Sequence, residues 1–274
     1  MSEITLREYN ELIADCIEEG RYSEAAAHAK HILAIYPKYI TAYRLLGEAL
    51  LEAGQDEAAM EMFRRALSAD PENLLAWVGL SEIHNRRGNL ESAIWHMERA
   101  FELESNNALI EEQLRQLQGR RDGVEPRRIQ LTRGALARLY LKGDLLSRAV
   151  SEFRKLIAEQ PERIDLRVAL AEALWRNEQR LEASELCEQI LDELPYCLKA
   201  NLLLGDIWSG SGREEARLYL RRATALDPEH RAAEALFGSD SVLPVRDVTV
   251  PLLDYQPSGP SEQPSWMGEV ELSF

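Results

Sequence analysis

The sequence predicts an all-α protein built as a solenoid, in which pairs of helices stack side by side. Pro37 and Pro71 are 34 residues apart, as are Pro161 and Pro195, and Pro228 follows 33 residues after Pro195. The Ala- and Leu-rich stretches between these prolines repeat one pattern of small and large residues, and no long run of strand-forming residues precedes the C-terminal tail. Such a period indicates two-helix units that bury their apolar faces only by stacking on their neighbours.

The units follow one another in order along the chain. The first begins near Leu6 and has Tyr9, Leu12, Gly20, Ala25 and Pro37. The second has Tyr43, Leu46, Gly47, Leu50, Gly54, Ala59, Phe63, Ala66 and Pro71. The third has Trp77, Leu80, Gly88, Ala93, Met97 and Ala100, with Ser105 in place of the proline. The fourth has Leu136, Tyr140, Ala149, Phe153 and Pro161, and the fifth has Leu170, Ala183, Ile190 and Pro195. The sixth has Leu204, Gly205, Trp208, Gly212, Ala216, Ala223 and Pro228.

These six matches in phase resemble the tetratricopeptide repeat (TPR) family over roughly four fifths of the chain. The signature of that family is an aromatic residue, Leu-Gly, a second aromatic residue, and then Ala, Phe, Ala and Pro. The resemblance implies a right-handed α-solenoid of about six helix pairs. It also implies that the first helices of the pairs line a concave groove, and that this groove binds a protein or a peptide.

The resemblance further implies which side chains face the groove. The candidates for partner binding are Asn10, Arg44, Glu48, Leu75, Val78, Glu82, Arg138, Leu141, Val168, Glu172, Trp175 and Leu202. Among them Trp175, with Leu141 and Val168 beside it, is the best candidate anchor, because Trp is frequent among the residues that dominate binding energy. The alternative is that Trp175 packs against the next unit.

Composition divides the chain into four segments. Residues 1–107 hold units one to three, and residues 130–238 hold units four to six with a capping helix. Residues 108–129 form an insertion, which begins with a predicted helix, ALIEEQLRQLQ, and continues as a predicted loop, GRRDGVEPRR. The insertion is either a hinge between two half-solenoids or a degenerate repeat that keeps the superhelix continuous. We favour a partial break.

Residues 239–274 form a tail that is rich in proline and carries six acidic residues against Arg246 alone. We expect this tail to be disordered, because so polar a segment cannot bury enough apolar surface to fold independently. The candidate residues of a terminal motif are Trp266, Met267, Val270 and Phe274. Three of them are spaced by four residues and would share one face of a short helix. We therefore expect a linear motif that folds on binding; a passive solubilising tail is the alternative.

Several function classes are disfavoured by charge and by missing motifs. The net charge of −15 disfavours nucleic acid and anionic membranes, since both bind basic surfaces. No Gly-rich phosphate loop, nucleophile elbow or HExxH pattern occurs, so no catalytic residue and no cofactor is expected. His28 and His31 could share a helix face, but without a third ligand no metal site is expected. Three cysteines without metal spacing and the lack of a signal peptide favour a cytoplasmic protein.

The sequence therefore predicts a non-catalytic scaffold or adaptor that binds a protein or peptide segment in its concave groove. Self-regulation is one alternative, in which residues 266–274 occupy the protein's own groove. A regulatory subunit that docks an enzyme through its tail is another. A third is a structural protein whose exposed faces form a homo-oligomer.

Overall fold

The computed structural model describes residues 3–256, and this part of the chain is an α-helical solenoid. Its helices are α1 (Leu6–Glu18), α2 (Tyr22–Ile35), α3 (Ile40–Glu52), α4 (Asp56–Ala69), α5 (Leu74–Arg86), α6 (Leu90–Leu103), α7 (Ala108–Asp122), α8 (Arg133–Lys142), α9 (Leu146–Glu159), α10 (Ile164–Arg176), α11 (Arg180–Glu193), α12 (Leu198–Gly210), α13 (Ala216–Leu226) and α14 (Arg231–Phe237). The predicted all-α solenoid is confirmed. The pairs α1/α2, α3/α4 and α5/α6 form the first three units, and α8/α9, α10/α11 and α12/α13 form the last three.

The turns within the helix pairs share one backbone conformation, although their residues differ. Gly54 and Gly88 both have φ of 73°, a conformation that glycine adopts without steric cost. In units four and five, Asp144 and Glu178 adopt the same backbone conformation, with φ of 59° and 60°. A positive φ is uncommon for residues other than glycine. The packing of the two helices in a pair therefore imposes this turn even where the glycine is missing.

Close contact between neighbouring units depends on the ring of Phe63, which is fully buried. Gly47 on α3 and Gly79 on α5 lie on two sides of this ring. A Cβ atom added at Gly47 would stand 2.7 Å from a ring carbon, and one added at Gly79 would also clash with the ring. The small residues that the repeat pattern places at these positions thus let α3, α4 and α5 pack around one aromatic side chain.

The insertion contains a helix and a loop, as predicted from its sequence. Helix α7 packs on α6 through Ile110, Leu114 and Leu117, in the position of the first helix of a further unit. A loop replaces the second helix of that unit, and Arg115 holds the loop by donating to the carbonyl oxygen of Pro126 at 2.9 Å. The chain then returns to α6, where Lys142 of α8 donates to the Leu103 carbonyl oxygen at 2.8 Å. A hinge at residues 108–129 stays a prediction.

The solenoid closes on itself, because residues of the sixth unit contact the first and second units. Tyr196 and Leu198, around the start of α12, pack on the hydrophobic core formed by α1 to α5, and Leu226 of α13 belongs to that core. The Lys38 ammonium lies 3.3 Å from the centre of the Tyr196 ring. The interior of the superhelix is therefore filled by contacts between its two halves over much of its length.

The structure corrects the prediction of disorder for residues 239–256, which pack as an ordered strap. Strand β2 (Thr249–Pro251) pairs antiparallel with β1 (Glu3–Thr5), with Ile4 opposite Val250. Val248 and Val250 are buried against α1 and α2. Within residues 3–256 no helix pair packs on the outer side of unit one, so its apolar face offers the burial that the strap lacks on its own. The remaining tail, with Trp266, Met267, Val270 and Phe274, lies outside the described residues.

No helix within residues 3–256 is long and apolar enough to cross a membrane. The same residues contain no group of three His, Cys, Asp or Glu side chains that could hold a metal ion. His28 and His31 contact other groups of the protein. His28 Nδ1 lies 2.9 Å from the Tyr9 hydroxyl, and His31 Nε2 lies 2.9 Å from the carbonyl oxygen of Pro251 in the strap.

Candidate functional site

An open groove with a volume of about 440 Å³ lies between α3, α5 and α7. The side chains on its surface come from Glu48, Leu51, Glu52, Leu75, Val78, Glu82, Asn85, Arg86, Gln113, Gln116, Leu117 and Arg120. The groove exists because α7 packs closely on α6 but hardly touches α5, whereas α3 and α5 lie side by side. The incomplete unit at the insertion thus opens the concave surface at this place.

The floor of the groove is apolar. Leu51, Val78 and Leu117 form it, and Leu75 stands at its edge with 46 % of its surface exposed. Side chains such as Leu75 are costly to hydrate, at roughly 25 cal/mol for each Å² of apolar surface. A partner that covered this leucine would gain that energy on binding.

The wall formed by α3 and α5 is polar, and Glu48 and Glu82 on it are closely paired with arginines. On α3, Glu48 accepts from Arg44 at 2.6 Å. On α5, Arg86 donates to Glu82 at 2.9 Å and to the Leu51 carbonyl oxygen at 2.8 Å, so it ties the two helices together. The hydrogen bond to Glu82 raises the pKa of Arg86, which keeps the guanidinium charged.

The wall formed by α7 consists largely of neutral amides. Gln113 and Gln116 face the groove, and Arg120 at the end of the helix donates to the side-chain oxygen of Asn85 on α5. Amide side chains can both donate and accept hydrogen bonds. This wall can therefore bind the backbone of an extended segment without selecting its charge.

Four of the predicted binding residues, Glu48, Leu75, Val78 and Glu82, line this groove. Arg44 adjoins it through its ion pair with Glu48. Asn10 does not reach the groove and instead donates to the Tyr39 hydroxyl at 2.7 Å.

The structure buries four of the other predicted residues. Arg138, Leu141, Val168 and Leu202 are each at most 6 % exposed. The expectation that they line an open groove is therefore wrong for this structure, because the closure of the solenoid brings the two halves together around them. Glu172 is part of the same closure, since its carboxylate lies 2.6 Å from the Lys199 ammonium.

Trp175 packs against the next unit, which is the alternative stated for it from the sequence. Its ring lies edge-on to Phe237 at 5.0 Å between centroids, and its Nε1 donates to Asp206 at 2.8 Å. The Arg180 guanidinium lies 4.5 Å from the ring. The chain's own side chains thus occupy the surfaces through which Trp175 would anchor a partner.

A buried cluster of charges joins the two halves of the solenoid. Arg163 donates to Glu102 at 2.6 Å and to Asp165 at 2.7 Å, and Arg138 donates to Asp165 at 2.9 Å and also to Glu72. Burial alone would raise the pKa of Asp165, but the hydrogen bonds from Arg163 and the charge of Arg138 outweigh it and lower that pKa. The cluster therefore joins the two halves through buried ion pairs, and Asp165 stays ionised within it.

The sequence analysis did not identify this cluster. Arg138 and Glu172 were assigned to a binding surface, although opposite charges at facing positions of different units also fit an internal network. The alternation of charge signs among the predicted groove residues was the available signal. This alternation alone does not distinguish a binding surface from an internal network, because the distinction depends on how tightly the superhelix is wound.

The fold and the groove define a helical-repeat protein whose described residues form an open groove on the inner surface. Models of the tetratricopeptide repeat family match residues 17–64 and residues 45–106. Together these matches span residues 17–106 and identify tetratricopeptide repeats in that part of the chain, as its resemblance implied. A comparison with curated proteins found no match.

Several solved structures are similar to this chain at low sequence identity. A TPR protein from Parabacteroides merdae is 17 % identical, with 83 % of this chain and 81 % of that chain covered and a TM-score of 0.37. YrrB, a TPR protein with an unusual peptide-binding site, is 15 % identical, with 74 % of this chain and 93 % of that chain covered and a TM-score of 0.33. The TPR2AB domain of yeast Sti1, in complex with pHSP90, is 18 % identical, with 85 % of this chain and 93 % of that chain covered and a TM-score of 0.38.

Proposed function

We propose that this protein is a non-catalytic adaptor that binds a short segment of a partner protein in the groove between α3, α5 and α7. The observation that carries the proposal is the exposed Leu75 beside an apolar floor, in a superhelix whose interior is otherwise largely closed by its own contacts. Stacked helical repeats generally use their concave surfaces for binding. The volume of about 440 Å³ is in the range of small, side-chain-sized sites.

The chemistry of the groove supports binding and offers no support for catalysis. Among the described residues that line it, the one hydroxyl group is that of Ser81, which is buried and donates to the Ala93 carbonyl oxygen at 2.7 Å. A nucleophile would need a neighbouring base and access to a substrate. The roles as scaffold or adaptor, and the cytoplasmic location, belong to the same proposal.

A peptide-display selection on the full chain tests this proposal. The variant Leu75→Gln removes the apolar edge of the groove, and Leu218→Gln on α13 is a matched control, since both leucines are 46 % exposed. We expect Leu75→Gln to weaken binding of the selected peptides by about tenfold, the loss of roughly 1.5 kcal/mol of burial. The control is expected to bind as the unmodified chain does.

The proposal fails if no peptide is selected, or if the selected peptides bind both variants equally. Circular dichroism of both variants establishes that the helices are retained. The alternatives of a tail-docked regulatory subunit and a homo-oligomeric structural protein stay hypotheses. Sedimentation analysis of the full chain at several concentrations tests the second of them directly.

A further inference from the structure

We infer that the segment bound in this groove is cationic, with an apolar side chain flanked by lysine or arginine. This inference rests on the proposed function, because it describes the ligand of the same groove. It follows from three features of the groove: one more carboxylate than guanidinium on the wall formed by α3 and α5, loose pairing of one of these carboxylates, and an opposite wall made mostly of uncharged amides.

The excess of carboxylates appears when the charges of this wall are compared. Glu48 is paired with Arg44, whereas Glu52 and Glu82 share Arg86. Asp56, at the start of α4, lies 3.9 Å from both Arg86 and Arg87. The Arg86 guanidinium lies 2.9 Å from Glu82 but 3.7 Å from Glu52 and 3.9 Å from Asp56. Arg86 therefore satisfies Glu82 first and leaves Glu52 weakly compensated.

The position of Glu52 suits contact with a ligand. Its side chain is 45 % exposed, and it follows Glu48 by one helical turn on α3, so the two carboxylates lie on the same face. Leu51 and Val78 form the apolar floor beside them. A ligand that inserts an apolar side chain here would place its neighbouring residues next to Glu48 and Glu52.

The opposite wall is mostly uncharged, since Gln113 and Gln116 form much of it. Arg120 is the cation that α7 contributes to the groove within the described residues, and it is bonded to Asn85. The net charge of −15 adds a long-range attraction for cationic segments, which raises their association rate. A cationic ligand is thus favoured both at a distance and in contact.

The protein's own tail has the opposite chemistry. Residues 257–274 carry Glu262, Glu269 and Glu271 and contain no lysine or arginine. Placing these glutamates beside Glu48 and Glu52 would bring like charges together, which costs binding energy. The tail is therefore not the occupant that this groove selects.

The test repeats the peptide selection with three full-length baits. They are the unmodified chain, the double variant Glu48→Gln with Glu52→Gln, and the matched double variant Glu185→Gln with Glu188→Gln on the exposed face of α11. The two double variants change the net charge equally. Only the first of them changes the groove.

We expect the unmodified chain and the α11 variant to enrich lysine and arginine over aspartate and glutamate by about tenfold next to the apolar residue. The groove variant is expected to lose that enrichment while it still selects apolar residues. Synthetic versions of an enriched peptide, with lysine replaced by glutamine, are expected to bind about tenfold more weakly at low salt and nearly equally at high salt.

Two results would overturn the inference and leave the proposed function standing. One is the enrichment of neutral or acidic peptides that still depend on Leu75. The other is displacement of a selected peptide by a synthetic peptide of residues 257–274, which would identify the tail as the occupant. If no Leu75-dependent peptide is recovered from any bait, the inference and the proposed function both fail.

Discussion

Glu72 and Lys199 are 127 positions apart in the chain, yet their side chains form an ion pair. Glu72 precedes α5, and Lys199 lies in the first turn of α12. The same carboxylate accepts from Arg138 of α8, so one acidic side chain joins three units. This contact helps to close the interior of the superhelix, whereas the groove between α3, α5 and α7 stays open.

The first prediction concerns this ion pair. We expect Glu72→Gln to reduce the free energy of unfolding by about 3 kcal/mol, because it leaves two largely buried cations with less compensation. Glu57→Gln is the control, since it breaks an ion pair with Arg87 whose carboxylate is 84 % exposed, and exposed pairs contribute little. Urea denaturation of both variants measures the difference. Equal stabilities would show that the closure does not depend on Glu72.

The same substitution is expected to change the pH dependence of stability. Burial raises the pKa of Glu72, but the charges of Lys199 and Arg138 outweigh it and hold that pKa below its usual value of 4.5. An acid with a lowered pKa stabilises the fold above the usual value, and this contribution is lost as the pH falls through the lowered pKa. Between pH 5 and pH 3 we therefore expect a shallower loss of stability in Glu72→Gln than in the unmodified chain, in thermal unfolding followed by circular dichroism.

A second prediction concerns the packing around Phe63. Gly47→Ala improves helix propensity by about 1 kcal/mol, but its Cβ would stand 2.7 Å from a carbon of the buried ring. We expect a net destabilisation of about 1 to 3 kcal/mol from overpacking. Gly210→Ala, at the exposed end of α12, meets no atom within 4 Å and is expected to stabilise by a few tenths of a kcal/mol. Urea midpoints that rise for both variants would contradict the clash.

A third prediction concerns the strap. Val250 is 1 % exposed, so we expect Val250→Ala to cost about 1 to 2 kcal/mol through lost burial. Thr249→Ala, on the exposed side of the same strand, is the control. Hydrogen exchange should quicken at the Leu6 amide, which donates to the Val248 carbonyl oxygen at 2.7 Å. Unchanged exchange at that amide in Val250→Ala would mean that the strap does not hold the start of α1.

A fourth prediction concerns His96, which stacks on His84 at 4.9 Å between centroids. Burial lowers the pKa of His96 to about 4, and the nearby charges of Arg99 and Arg64 act in the same direction. The unfolded chain takes up a proton on this histidine near pH 6.5, whereas the folded chain does so only near pH 4, so stability falls as the pH drops through this window. In His96→Phe we expect the loss of unfolding free energy on acidification to be smaller than in the unmodified chain, by up to about 3 kcal/mol.

Unfolding free energies of both proteins at pH 7 and at pH 4.5 measure this effect. His84 is a further titratable group of the cluster, so the relevant quantity is the difference between the two proteins. If His96→Phe loses as much stability on acidification as the unmodified chain, His96 is not the group responsible.

The repeat pattern was enough to predict the helix pairs, because each unit is specified by residues close in sequence. The turns at Asp144 and Glu178 show the limit of that pattern, since they keep the conformation without the glycine. The closure by Glu72 and Lys199 could not be predicted, because it depends on small rotations summed over several units. For the same reason the sequence predicts a groove that runs along all six units, whereas Leu141, Val168 and Leu202 are buried in the described structure.

The strap was missed for a different reason. Val248 and Val250 are buried and Thr249 is exposed, which is the alternation typical of a half-buried strand. The high proline and acidic content of residues 239–274 favours disorder, and this three-residue alternation is too short to indicate a strand against it. Its partner β1 has only three residues, too few for a pattern to indicate a strand on its own.

The pairing of Ile4 with Val250 has a consequence for how the protein is made. Helices α1 and α2 leave the ribosome long before the strand that covers their free end, and at about 5 to 20 residues per second the delay is roughly ten to fifty seconds. During that interval the nascent chain carries an uncovered apolar surface on α1 and α2. Translation of the last part of the described chain is therefore also the step that protects its beginning from aggregation.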